Sequence, residues 1–149
     1  MSHVTTIKME IKDLVALKDA CVKAGLEFRE NKKTYKWWGY SVGDYPVPKG
    51  FTKEDLGKCD HAIGVPGNKN AYEIGVVVRD GKISMLWDFY GGGQGLEKVA
   101  GKDCCNLTEA YTQTVAVKEA TKFAQAQGWS VSTKLDQDTN EYVIELTKY

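Results

Sequence analysis

The stretch 72–89 constrains the fold more than any other part of the chain. It reads YEIGVVVR, then Asp80-Gly81, then KISMLWDF. Both arms are rich in β-branched and aromatic residues. Asp-Gly between such arms is the signature of a two-residue type I′ turn, which needs positive φ at both central positions. An antiparallel hairpin is therefore predicted at the centre of a sheet. In its second arm Ile83, Met85, Trp87 and Phe89 point one way, and Ser84, Leu86, Asp88 and Tyr90 the other. Large apolar groups on both sides predict a strand covered on both faces.

The remaining patterns supply the partners of that hairpin. Ile7, Met9 and Ile11 alternate with polar neighbours and predict a first strand. Asp13 is placed to cap a helix carrying Leu14, Leu17, Cys21 and Ala24 at helical spacing, and Gly25 ends it. Segments 26–30 and 34–41 predict two strands, and 61–65 a short one before the turn Pro66-Gly67-Asn68. Between them, 43–60 holds Pro46, Pro48 and several glycines and reads as a long loop. Asn106 with Glu109 resembles a capping box opening a helix that runs to Gln127 and stops at Gly128. A second hairpin closes the chain, with Trp129, Val131 and Thr133 on one arm and Tyr142, Ile144 and Leu146 on the other, joined by a turn at 136–140. The order β-α-β-β-(β)-β-β-α-β-β predicts an α+β domain over 1–149. It would be a single antiparallel or mixed sheet with two helices on one face.

A chain of 149 residues buries roughly two-thirds of its unfolded surface and needs no metal or disulfide to fold. Its 20 Lys and Arg balance 20 Asp and Glu, which disfavours non-specific binding to nucleic acid. Lys32, Lys33 and Lys36 form the densest basic cluster and read as a solvated loop. No run approaches the ~20 apolar residues of a membrane span, and the start MSHVTTIKMEI lacks the basic and apolar regions of a secretory signal. Cys21, Cys59, Cys104 and Cys105 have no framework spacing and fit a reducing compartment. A cytoplasmic protein without a membrane partner is expected.

The start MSHVTTIKMEIKD, the segment GKCDHAI with Val65-Pro66-Gly67, the stretch YEIGVV, and WDFYGG followed by a helix and a hairpin resemble a family of small uncharacterised proteins. Its members occur in cyanobacteria, in algal plastid genomes as a conserved reading frame, and in bacteriophages. The resemblance spans nearly the whole chain and implies a soluble cytosolic or stromal protein. It brings no accepted activity and no catalytic residues.

Candidate chemistry is sparse. Cys59 and His61 form a C-x-H pair that could be half a zinc site, but no second pair stands at ligand spacing. The same two residues, with Asp88, are the only basis for a nucleophilic site. A loop-to-strand junction with His61 hydrogen-bonded and Cys59 packed is the plainer reading. Asp88 and Glu73 could meet across the central hairpin, either as an acid–base pair or, more simply, as polar decoration. Gly91, Gly92 and Gly93, followed by Gln94 and Gly95, match neither a P-loop nor a dinucleotide fingerprint. They could expose amides to an anion, with Lys98 and Lys102 nearby, or serve as a strand-exit loop. Trp37, Trp38 and Tyr40, with Tyr45, are the least ordinary group. Neighbouring residues on an extended segment face opposite ways, so one tryptophan is expected outside as a platform for a base or a protein partner.

Three readings follow. The preferred one is a non-enzymatic binding or accessory protein, with no cofactor, using the aromatic and glycine-rich surface toward a protein partner or as a homodimer. The second is a small-molecule or nucleotide binder with a pocket where Trp37, Trp38, Tyr40, His61 and Asp88 converge. The third is an enzyme centred on Cys59, His61 and Asp88.

Overall fold

The computed structural model describes residues 3–39, 45–136, 138–139 and 141–148. The central hairpin forms as its sequence dictates. Strands β4 (Ile74–Arg79) and β5 (Lys82–Asp88) pair antiparallel with Arg79 opposite Lys82. Asp80 and Gly81 between them sit at φ 51° and 75°, as a type I′ turn requires. Around this pair a five-stranded antiparallel sheet assembles in the order β1-β5-β4-β3-β2, with β1 (Val4–Thr6), β2 (Glu27–Arg29) and β3 (His61–Gly64).

One face of the sheet carries the helices. Helix α1 (Leu14–Lys23) is capped by the Asp13 carboxylate, which accepts the Ala16 amide at 3.0 Å. Gly25 follows it at φ 78°. A short α2 (Leu96–Ala100) leads into the long α3 (Cys105–Ala126). Leu17 and Cys21 of α1, Leu107 and Tyr111 of α3, and Leu96 meet Ile63, Ile74, Val76, Met85 and Trp87 of the sheet in the main core. Each aliphatic side chain fully enclosed there contributes about 1.5–3 kcal/mol. The other face is covered by segments 33–39 and 45–59 and not by an α-helix. Tyr35 and Leu56 pack there on Val4, Ala62, Val77 and Leu86, with Trp37, Tyr45, Val47, Phe51 and Cys59 at the margin. The expectation of two covered faces for β5 is met, with Met85 and Trp87 on the helix side and Leu86 on the loop side.

The α+β class stands, with the short α2 as a third helix where two were expected, and four further details differ from the pattern-based expectation. The first strand lies earlier, at Val4–Thr6. Ile7 still donates to the Met85 carbonyl, but the chain then bends and only Ile11 returns, as an isolated bridge to Ile83. Segment 34–39 forms one bridge, Thr34 to Lys58, and no strand, because its Lys36 and Trp38 amides donate to the carboxylates of Glu73 and Asp88 and not to the backbone of a neighbouring strand; residues 40 and 41 of the expected strand lie outside the described residues. Asn106 does not cap α3: it lies inside the helix, and its amide donates to the Val99 carbonyl at 3.1 Å. Finally, the closing hairpin β6 (Trp129–Asp136) and β7 (Glu141–Lys148) does not join the large sheet but forms its own two-stranded sheet packed on α3. The hairpin runs back along α3, so that Thr139 and Glu141 at its turn share a groove with Asn106, Glu109 and Ala110 of α3, and the Lys23 ammonium at the end of α1 lies over the Tyr142 ring at 4.7 Å.

Candidate functional site

The loop-covered face owes its shape to two strand glycines. Ala62 pairs with Gly75, and Glu27 with Gly64. A Cβ on Gly75 would fall inside the Tyr35 ring, and one on Gly64 inside the Arg29 guanidinium. Neither glycine needs a positive φ; both are selected by close approach. The space they leave lets Tyr35 lie flat on β4 and lets Arg29 reach across β3 to the end of the sheet.

At that end stand two buried carboxylates. The β4–β5 register, extended two residues past Gly75 and Leu86, places Glu73 opposite Asp88. Glu73 is 2% exposed and Asp88 is fully buried. The ladder itself ends at Gly75 and Leu86; the two acids are buried and not surface decoration, and each binds its own partners and not the other. Asp88 Oδ1 accepts the amides of His3 at 3.0 Å and Tyr90 at 3.2 Å, and Oδ2 accepts the amide of Trp38 at 3.2 Å. No cation pairs with it among the described residues; three backbone dipoles carry its charge. Glu73 Oε2 accepts Arg29 Nη1 at 2.8 Å, and Oε1 accepts Lys32 Nζ at 2.6 Å and the Lys36 amide at 2.9 Å. Burial alone would raise the Glu73 pKa; the Lys32 and Arg29 hydrogen bonds and the Lys36 amide outweigh it and hold the group below its ordinary value. The segment 35–38 is thus pinned across the sheet end by both acids.

That pinning organises an aromatic surface. His3 stacks on Tyr45 with centroids 4.5 Å apart, Tyr90 meets the His3 ring edge-on at 5.3 Å, and Phe89 packs edge-on against Tyr45 at 5.6 Å. Trp38 is 45% exposed and Tyr90 51%, and both hang from the Asp88 carboxylate by their amides. Trp37 faces the other way. Its indole lies against Gly57, where a Cβ would collide with it, and it seals the loop-side core. Of the two tryptophans, Trp38 is the outward one.

The other sequence candidates fall elsewhere. Gly91, Gly92, Gly93 and Gln94 all lie in the left-handed region, making one left-handed turn. L-residues pay about 1–2 kcal/mol each for that conformation, which is why the run is glycine. Gly93 is buried and its carbonyl accepts the Tyr72 amide at 2.9 Å; Gly91 and Gln94 are the exposed members. The run is a tight reversal into α2 rather than an open cradle. His61 pairs with Val76 on the helix side, its Nδ1 accepting the Asn31 amide at 2.9 Å and its ring lying on Phe28. Cys59 packs on the loop side with its thiol on the Lys32 carbonyl at 3.1 Å. Burial, reinforced by the Glu73 and Asp60 charges, pushes that thiol up to about 11. The sheet therefore separates Cys59 and Asp88 from His61, and no convergent pocket of the tryptophans, His61 and Asp88 exists among the described residues. No group of three or more metal-ligating side chains occurs among them either. Tyr40 lies outside the described residues.

Tyr35 is the odd member of the face. Its hydroxyl is buried and makes no hydrogen bond of ordinary geometry among the described residues. Burial pushes its pKa up to about 12, with the nearby Gly57 amide acting weakly the other way.

Sequence reasoning named Trp38, Tyr45 and Asp88, and raised Glu73 with Asp88 as a possible cross-strand pair, with polar decoration as the plainer reading. It missed His3, Phe89 and Tyr90 as members of one cluster, and Arg29 as the partner of Glu73. Only the Asp-Gly register signalled any of this. Contacts between residue 3 and residues 45 and 90 have no local signature. No family model, curated protein or solved structure matches the chain.

Proposed function

We propose that this chain is a non-enzymatic binding protein that recognises a protein partner through the aromatic surface held by Asp88. One observation carries the reading: Trp38 and Tyr90 expose large rings while their backbones hang from the two oxygens of one buried carboxylate. Exposed aromatics on a fixed backbone lose little entropy on binding, and such residues are the usual anchors of protein interfaces. A purely structural role would turn those rings inward, as Trp37 does. Separation of Cys59 from His61 by the sheet speaks against a nucleophilic enzyme built on them.

The resemblance to the small cyanobacterial, plastid and phage proteins is consistent with an accessory role, and we place the chain in the cytoplasm. The free state of Cys21, Cys59, Cys104 and Cys105 supports a reducing compartment. No helix among the described residues is long and apolar enough to cross a membrane.

Native mass spectrometry of the chain from its own host tests the reading. A second protein, or a multiple of the 16.6 kDa chain, should appear under gentle conditions and vanish in the Trp38→Ala/Tyr90→Ala variant at unchanged melting temperature. A partner retained by that variant, or a bound small molecule in place of a protein, overturns it.

A further inference from the structure

Beside Glu73 the molecule has a second feature, independent of the aromatic surface. A groove of about 400 Å³ opens between the segment carrying Lys32 and Lys36 and the turn at Asn68 and Lys69. Four cations line it, Arg29, Lys32, Lys36 and Lys69, against the single carboxylate of Glu73. Glu73 is already saturated: Arg29 and Lys32 occupy it, at 2.6–2.8 Å, together with the Lys36 amide. Lys36 and Lys69 have no carboxylate partner among the described residues. Lys36 instead leans its ammonium onto the Lys69 carbonyl at 2.6 Å, which draws cationic residues together without a counter-charge. Like charges gathered in this way repel unless an anion completes the set.

The cluster is also held in place. Arg29 lies over Gly64 in space that no side chain there could share, and the buried Glu73 fixes it together with Lys32. Asn68 Oδ1 accepts the amides of Asn70 and Ala71 at 3.0 and 3.2 Å, which shapes the opposite wall. A planar guanidinium and mobile ammonium groups around one concave floor are the donor set used for phosphoryl oxygens. Arg29 also touches Glu27 at 3.4 Å, so the surplus charge is that of Lys36 and Lys69; a diphosphate matches it in sign and has oxygens enough to take both ammonium groups and the free donors of Arg29 and Lys32.

We infer that this groove is a binding site for a diphosphate group, whether free pyrophosphate or the tail of a nucleoside diphosphate. Lys36 and Lys69 supply the unpartnered charge, and Arg29 and Lys32 donate while remaining anchored on Glu73.

Calorimetric titration of the full chain at low ionic strength tests this with pyrophosphate, ADP and sulfate. Pyrophosphate should bind one to one and more tightly than sulfate, and its affinity should fall as salt is raised. Lys36→Ala/Lys69→Ala should weaken it at least about tenfold, since two charge-assisted contacts are lost. Both residues are exposed, so the melting temperature of that variant should hold. Lys98→Ala/Lys102→Ala, beside the glycine turn, should bind like the wild type. Equal affinity for ADP assigns the site to nucleotide tails, and preference for pyrophosphate assigns it to the free anion. Absence of binding, or affinity that survives loss of Lys36 and Lys69, refutes the site.

Discussion

Asp88→Asn is the sharpest probe of how the aromatic surface is built. The carboxylate accepts two amides on Oδ1 and one on Oδ2. Asparagine offers one oxygen and one amino group. Its better orientation keeps the oxygen on the His3 and Tyr90 amides and turns the amino group toward Trp38, donor against donor. The Trp38 amide then loses a charge-assisted acceptor, a loss of about 1.5–3 kcal/mol. The other two bonds weaken to neutral ones. Relief of burying a charge offsets part of this. The net destabilisation is about 3 kcal/mol, or roughly 6–12 °C in melting temperature for a chain of this length. Asp88→Ala strands all three amides and should exceed it, at about 4–5 kcal/mol. Urea unfolding at pH 7, followed by tryptophan fluorescence, gives the totals. Hydrogen exchange gives the location: the Trp38 amide should lose protection in the Asn variant, before the β4–β5 ladder does. An Asn variant within about 0.5 kcal/mol of the wild type, or an Ala variant milder than the Asn one, would refute the clamp.

Three further outcomes are expected. Gly75→Ala should destabilise by about 1–3 kcal/mol, because its methyl would displace the Tyr35 ring; pairing it with Tyr35→Leu should recover part of the loss in a double-mutant cycle of urea midpoints. Glu73 is held below its reference value of 4.5, so its stabilisation is complete above that pH and drains away as pH falls through the folded-state value; an acid titration of stability should show this slope in the wild type and a flatter one in Glu73→Gln. The Cys59 thiol, pushed up to about 11, should resist iodoacetamide at pH 8 in the folded chain and react once unfolded in urea, since only the thiolate attacks; peptide mapping that finds rapid labelling of native Cys59 would contradict this.

Local chemistry alone determined the elements with short-range signals. Asp80-Gly81 specified the central hairpin and its register. Asp13 and Gly25 bounded the first helix, and the alternation of β5 required cover on both faces. These follow from turn sterics, capping and side-chain period, which act over a few residues. Other features waited for the tertiary structure. A basic cluster at Lys32 and Lys36 reads in isolation as a solvated loop; folding brings Arg29 and Lys69 to it and puts a buried carboxylate beneath. Cys59 and His61 stand two residues apart and still end on opposite faces, because the strand begins only at His61. Gly64 and Gly75 look like strand weaknesses until Arg29 and Tyr35 come to rest on them. The hairpin Trp129–Asp136 with Glu141–Lys148 has a sheet-forming sequence and could have extended the large sheet. It docks instead on α3, with Tyr142 under the Lys23 ammonium at the end of α1. In each case the deciding contact joins residues far apart in the chain, where no local propensity acts and only the packing of the whole molecule selects the partner.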